Sequence, residues 1–315
     1  MTQTAPRMSV FRPMAAAALL IVLVMQTARA QDSGLAFMAI GVDAASMARG
    51  DASVASTTGS FATYWNPAAL AVGDANEVGI SHHIWIDGVK TYALAGRFNT
   101  GRTSGLGLFI TGTASGEIEQ RDQPGPPSGT FEAQYINFGL SYGLTIGPVR
   151  FGASAKYITE RIFDDSASGY GVDAGLHSTL FNGGLNVAAV IQNIGKMNEL
   201  RSKASELPRT FRAGLQFFPF RLVDGLDGSS LAHVSVSTDV SRNLVDELTR
   251  VHIGAEALVL DVIAIRAGYL SNDTLRGFST GIGLDIADLQ FDYALIPFKD
   301  GFDGPAHILS LKYGY

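Results

Sequence analysis

Histidine is a natural starting point for chemistry, and His82-His83 is the only adjacent pair among the six histidines. Neighbours on an extended strand point to opposite faces, so these two rings cannot chelate one ion together. No metal site is expected. Gly281-x-Gly283 has two glycines of a dinucleotide loop but not the helix that loop needs, so it reads as a strand with small residues. No G-x-S-x-G occurs, and no Ser/His/Asp set stands out. Cysteine is absent, which removes thiol nucleophiles, disulfide scaffolds, Cys-ligated zinc, iron–sulfur clusters and a lipoprotein anchor. Nothing in the sequence pairs the 29 carboxylates. The expectation is a protein that is not an enzyme and carries no cofactor.

What must position these residues is an unusual chain. Of 315 residues, 46% are hydrophobic, 17% charged and 36 are glycine. Soluble domains run near ~25% charged. The formal charge of −6 gives no basic footprint for nucleic acid. The apolar content is far too high for a disordered chain. Arg7 and Arg12 precede an apolar run from Met14 to Met25, and Ala28-Arg29-Ala30 fits a small-x-small cleavage site. That run is too short to span roughly 30 Å of hydrocarbon as a helix. Residues 1–30 therefore read as a cleaved signal peptide rather than an anchor, and the protein works outside the cytoplasm. No later run has the length of a membrane helix.

Most of the remaining chain alternates with period two. From Tyr135 to Thr145, Tyr135, Asn137, Gly139, Ser141 and Gly143 share one face, and Ile136, Phe138, Leu140, Tyr142 and Leu144 share the other. Ser235, Ser237 and Asp239 oppose Val234, Val236 and Val240 in the same way, and Arg212, Gly214 and Gln216 oppose Phe211, Ala213 and Leu215. A soluble sandwich turns the greasy face inward. A membrane barrel turns it to lipid and keeps small or polar groups in its lumen. Glycine, serine and single charges dominate the polar faces, which favours the barrel. Aromatics at apolar strand ends (Phe131, Tyr135, Tyr142, Phe217, Tyr269, Phe291, Tyr293, Tyr313) suit interfacial girdles.

Fourteen candidate strands follow: 77–86, 89–99, 103–119, 130–146, 149–161, 169–180, 185–193, 208–217, 230–241, 249–258, 262–270, 277–286, 289–296 and 306–314. An even count returns both ends of the barrel to one side. Connections alternate between tight turns, such as Gly147-Pro148 and Ala287-Asp288, and longer loops, Gln120 to Gly129, Ile162 to Ser168, Ile194 to Leu207 and Pro297 to Pro305. Ile86-Asp87-Gly88 and Phe218 to Ser229 break that alternation. The reading is an all-β transmembrane antiparallel up-and-down barrel of about fourteen strands over 76–315, in the cell outer membrane and in contact with its lipid.

Residues 31–75 lack a period-two stretch and are rich in Ala, Ser and Gly. Asn66 can cap a helix that Pro67 opens, with Ala68-Ala69-Leu70 inside it and Gly73 beyond. This partly helical segment reads as a hatch that folds back to plug the lumen, with Tyr64, Trp65, Asn66 and Pro67 as candidate binding residues. Asp173, Arg212, Asp239, Glu256, Arg266, Asp285, Asp292 and Lys312 lie on polar faces and form a candidate lumen network, along with Arg97 and Lys156. Such charges either pair with each other or with the plug, or line water.

The stretches Phe37-Met38-Ala39-Ile40-Gly41-Val42, Ser46-Met47-Ala48-Arg49-Gly50 and Tyr64-Trp65-Asn66-Pro67-Ala68-Ala69-Leu70 resemble the N-terminal signature of the PorV/PorQ family. Ile191-Gln192-Asn193-Ile194-Gly195, Leu207-Pro208-Arg209-Thr210-Phe211-Arg212 and Phe291-Asp292-Tyr293-Ala294-Leu295-Ile296-Pro297 extend the likeness. The resemblance implies a fourteen-stranded outer-membrane barrel with an N-terminal hatch, acting as a client-binding accessory of type IX protein secretion. Its partners would be secreted proteins with a C-terminal sorting domain, the translocon and the sortase. The related FadL-like barrels imply an alternative, a gated transporter of hydrophobic small molecules with an apolar lumen pocket near Tyr64 and Trp65. The family's usual acidic pair is replaced here by the run from Thr57 to Thr63, and its Gly-Met-Gly-Gly by Ser46-Met47-Ala48-Arg49-Gly50.

Overall fold

The computed structural model describes residues 34–121, 123–221, 232–299 and 304–315. The signal-peptide reading over 1–30 lies outside them, as does most of the 218–229 connection. The strands are β1 (Glu77–Ile84), β2 (Lys90–Gly101), β3 (Ser104–Ala114), β4 (Ile118–Gln120), β5 (Gly129–Phe131), β6 (Ala133–Ile146), β7 (Val149–Ile162), β8 (Asp165–Leu180) and β9 (Leu185–Met197). They continue as β10 (Glu199–Leu200), β11 (Lys203–Ala204), β12 (Thr210–Phe217), β13 (Ala232–Asn243), β14 (Thr249–Val259), β15 (Ile263–Leu270), β16 (Phe278–Ile286), β17 (Leu289–Ile296) and β18 (Ala306–Gly314). Fourteen of them close into one antiparallel barrel, each paired to its neighbour and β18 paired back to β1. The pairs β4–β5 and β10–β11 are separate two-stranded hairpins.

Alternation sets the faces as expected. Along β6, Asn137, Gly139, Ser141 and Gly143 are buried while Ile136, Phe138, Leu140 and Tyr142 are exposed to the outside. Closure removes every free edge from the wall, and strands of this kind cross a bilayer because all their backbone groups are paired. No helix among the described residues is long and apolar enough to cross a membrane; the crossing is made by strands.

Both ends of the barrel chain, Glu77 and Gly314, meet at one rim. The turns at Arg102-Thr103, Gly147-Pro148 and Ala287-Asp288 lie there, which marks the periplasmic rim. The hairpins β4–β5 and β10–β11 stand at the opposite, outer mouth.

Four details differ from the sequence reading. The 103–119 candidate divides into β3 and the hairpin strand β4. The loop expected from Ile162 to Ser168 is a two-residue turn, Phe163-Asp164, because β8 starts at Asp165. The strand expected to stop at 193 runs on to Met197 past a bulge, where Gln192 and Asn193 together oppose Asp173. Asn193 takes φ 61 there, and both side chains are turned into the lumen, as a bulge permits. Tyr135 is not a girdle residue, since it shares its parity with Asn137 and packs on Phe37 with ring centroids 4.7 Å apart.

Residues 34–76 run the length of the bore. At the outer mouth Leu35 and Met38 pack with Ile158, Met197 and Leu207. At the inner rim Tyr315 N–H donates to the Asn76 carbonyl (3.0 Å). Between them lie a turn of 3-10 helix (Ala36–Ala39), α1 (Ala44–Ala48), α2 (Ala62–Trp65) and a second 3-10 turn (Pro67–Ala71). Hatch and wall meet at the barrel seam in one chain of hydrogen bonds. Ala44 N–H donates to Ser310 Oγ (2.8 Å), Ser310 to Ser81 Oγ (2.9 Å), and Ser81 to the Leu309 carbonyl (3.0 Å).

Candidate functional site

The Tyr-Trp-Asn-Pro run is where the hatch turns back on itself. Asn66 leaves α2 in an extended conformation, and its side chain accepts from Ala68 N–H (3.1 Å) to cap the 3-10 turn that Pro67 opens. Its amide also donates to the carbonyls of Val54 (3.2 Å) and Leu176 (3.0 Å), joining two hatch segments to β8. Trp65 Nε1 donates to Asp43 (2.8 Å), whose other oxygen caps α1 through Ser46 N–H (2.9 Å). The Tyr64 hydroxyl lies within hydrogen-bond reach of the Ile40 and Met38 carbonyls (2.7 and 2.9 Å). Its ring packs edge-on against Trp65 and Phe109. All four residues are buried, so the motif is the internal joint of the plug.

Asn66, fully buried, thus pairs with one backbone donor and two carbonyls. Asn66→Ala is expected to weaken hatch seating by about 2–3 kcal/mol while the barrel still assembles, because unsatisfied buried groups each cost about 1–3 kcal/mol. Faster modification of a cysteine placed in the hatch, with the heat-shifted gel mobility of the barrel retained, is the measurement. Loss of the gel shift would show instead that the joint is needed for assembly.

The predicted lumen charges separate into three groups and one arginine, Arg97, that stands apart from them. Near the inner side, Arg266 bridges Glu256 (2.5 Å) and Asp292 (2.6 Å), and Glu256 also takes Arg49 of the hatch (2.8 Å). Asp285 and Lys312 line a cavity of about 170 Å³ beside this group. On β7 and β8, Lys156 pairs with Asp173 (2.6 Å) and donates to Asn193 at the bulge (2.7 Å). In the outer half, Asp239 accepts from the hatch amides of Ser53 (2.8 Å) and Val54 (3.0 Å) and faces Arg212 at 3.7 Å. Arg212 donates to the Asp51 carbonyl (2.8 Å) and lies over the Trp65 ring. Arg97 holds the end of the hatch through the carbonyls of Leu70, Gly73 and Ala75. Glu256, Arg212, Asp239 and Arg97 therefore pair with the plug, Arg266, Asp292, Lys156 and Asp173 pair within the wall, and Asp285 and Lys312 line the cavity.

Several partners were not apparent from sequence. Asp51 of the hatch pairs with Arg276 (2.8 Å) from the β15–β16 loop, which also carries Asp273. Burial alone would raise the Asp273 carboxyl, but Arg276, its amide and Arg250 hold it below the usual carboxylate range. Gln192, aimed inward by the bulge, donates to the Tyr64 carbonyl (2.8 Å). Three lumen histidines, His83, His177 and His252, each meet a hatch carbonyl.

The glycine excess also has a cause. A Cβ on Gly152 would overlap the backbone of Pro67 and Ala68, and one on Gly268 would overlap that of Arg49 and Gly50. Inward glycines form two saddles on the wall, one beneath the Pro67–Ala71 turn and one beneath the end of α1. The hatch backbone lies directly on them.

Two cavities flank the 3-10 turn Ala36–Ala39. Against Tyr64 and Trp65 lies a space of about 30 Å³ bordered by Arg212, Arg250, Arg276 and His252. The pocket there is polar, not the apolar one that the transport reading expected. The more apolar space lies nearer the outer mouth, a cup of about 340 Å³ between Leu35, Phe37 and Ile40 of the hatch and Trp85, Val89 and Tyr135 of the wall, with Asp87 and His83 also on its lining.

No protein-family model and no curated protein matches the chain. Solved structures do. The Ralstonia pickettii toluene transporter TbuX aligns with a TM-score of 0.61 at 13% identity, covering 87% of this chain and 98% of that one. The P. putida toluene transporter TodX gives 0.58 at 13% identity, and a Pseudomonas aeruginosa FadL homologue 0.54 at 12%, with the same coverage. At such identities the likeness speaks for the fold alone. With fourteen strands closed around its own N-terminal plug, the chain is an outer-membrane β-barrel of FadL-like fold.

Proposed function

We propose that this barrel is a gated conduit for small apolar molecules across the outer membrane. The observation that carries this reading is the apolar cup at the outer mouth, floored by the hatch and large enough for a single aromatic hydrocarbon. The hatch fills the bore below it, so passage requires the hatch to move. The toluene transporters of the same fold lend the substrate class. Phe37 forms the hatch side of the cup against Tyr135. Cells carrying the protein are expected to take up labelled toluene several-fold faster than vector controls. Phe37→Asp, which replaces the ring packed on Tyr135 with a carboxylate, is expected to return uptake to the control level with the barrel's gel shift intact. Uptake equal to the control with the unaltered protein sinks the reading.

A second reading is the client-binding accessory role in type IX secretion. It is supported by the Tyr64-Trp65-Asn66-Pro67 resemblance and by the β4–β5 hairpin, which projects at the outer mouth with Pro124-Gly125-Pro126-Pro127 exposed at its tip. Loss of surface display of sorting-domain proteins on gene deletion, with toluene uptake unchanged, would favour it.

A further inference from the structure

We propose that His83, His177 and His252 form a pH-sensitive clasp that keeps the hatch seated at neutral pH and releases it in mild acid. The three stand on different strands, β1, β8 and β14, and all are buried at 1%, 1% and 2% exposure. Each presents a ring nitrogen to a different hatch carbonyl: His83 Nε2 to Val42 (3.1 Å), His252 Nδ1 to Gly50 (2.9 Å) and His177 Nε2 to Ala55 (3.3 Å). They hold the central stretch of the plug from three sides of the wall.

The surroundings favour a neutral ring. Arg150 Nη1 lies 3.3 Å from His177 Nδ1. A guanidinium can only donate, so that nitrogen must accept, and the proton sits on Nε2 facing Ala55. A second proton would set N–H against the Arg150 cation. In His252, Nδ1–H faces the Gly50 carbonyl, and Nε2 takes the hydroxyl of Ser241 (2.8 Å). The charges facing His252 are Arg212 from β12, Arg250 from β14 itself and Arg276 from the β15–β16 loop. The nearby acids are already engaged, Asp51 by Arg276 and Asp239 by Arg212 and the hatch amides. His83 has the Val42 carbonyl and its neighbour His82 about it, with the His82 ring on the outer face against Tyr92.

Displacing the hatch puts the three rings in water, where imidazole takes a proton near pH ~6.5. The displaced state then binds up to three protons that the seated state does not. Opening therefore gains up to about tenfold per histidine for each pH unit below that value. At about pH 5.5 the limit for all three is roughly a thousand-fold. Only hatch displacement is required, so the clasp stands or falls separately from what the conduit carries.

The chain has no cysteine, so one placed in the hatch reports its exposure. Ala52→Cys is fully buried when the hatch is seated, and Ser128→Cys on the exposed β4–β5 hairpin corrects for the reagent's own pH dependence. In lipid vesicles, the ratio of maleimide labelling at the two sites is expected to rise at least ~10-fold between about pH 7.5 and about pH 5.5. His83→Gln, His177→Gln and His252→Asn each keep a donor toward the same carbonyl but do not titrate. Together they are expected to flatten the response. If the triple variant does not assemble, each single variant is expected to remove up to ~10-fold of the rise. A pH-independent ratio in the histidine-bearing protein, or an undiminished rise in the variants, overturns the clasp.

Discussion

Gly268→Val is expected to unseat the hatch while leaving the wall intact. Gly268 faces the lumen from β15, and its backbone is ordinary extended strand, which valine favours. Its missing side chain is the space occupied by Arg49 and Gly50. Overfilling a packed core costs about 1–3 kcal/mol when side chains can yield. Here backbone meets backbone, so the cost falls at the upper end or beyond. At about 1.4 kcal/mol per factor of ten, labelling of a hatch cysteine should rise about a hundred-fold. Gly152→Val does the same at the other saddle, against Pro67 and Ala68. The two changes act on separate helices of one plug, so together they should leave an open bore. Heat-shifted mobility of the variants shows that the barrel has formed. Hatch labelling at the unaltered rate would show that the plug yields without leaving its seat.

Arg266→Met is expected to destabilise the folded barrel by about 3–5 kcal/mol, the range for removing one partner of a buried ion pair. Arg266 is 4% exposed and stands between two carboxylates. Without it, among the described residues, Asp292, 1% exposed, keeps a 3.3 Å hydrogen bond from Gln290, and Glu256 keeps Arg49. Methionine retains much of the volume, so the loss is electrostatic. Adding Asp292→Asn removes the stranded charge, and the double variant should recover a large part of the stability. Denaturant midpoints of vesicle-refolded protein measure both. A single variant within about 1 kcal/mol of the parent would mean that water or lumen rearrangement solvates Asp292.

The wall was legible because its rule is local. In Tyr135 to Thr145 or Val234 to Val240, each residue's face follows from its parity, and fourteen such runs give the barrel. The Asn66-Pro67 cap was legible for the same reason, since Asn66 and Ala68 are two residues apart. The interior was not. Asp51 and Arg276 are separated by 225 positions, Ser53 and Asp239 by 186, and His252 and Gly50 by 202. Nothing near Asp51 marks its partner. The bulge at Gln192-Asn193 depends on a pairing to β8 that only the closed sheet fixes. Without it, the inward turn of Gln192 toward Tyr64 could not be read. The glycines were visible as small lumen residues, but their reason, a second backbone resting on them, required the plug to be placed.

The hydrogen-bond chain from Ala44 through Ser310 and Ser81 has a consequence for how the ring is made. Ser81 and Ser310 lie 229 positions apart, and their strands make the longest-range pairing in the molecule. Contacts of such separation carry the heaviest loop-closure penalty and form late. The N-terminal segment is inside the bore and supplies a third member to that last joint. Corking the vessel and welding its final stave are thus partly one event, and the line between first and last strand is where the wall loses a bond whenever the cork is drawn.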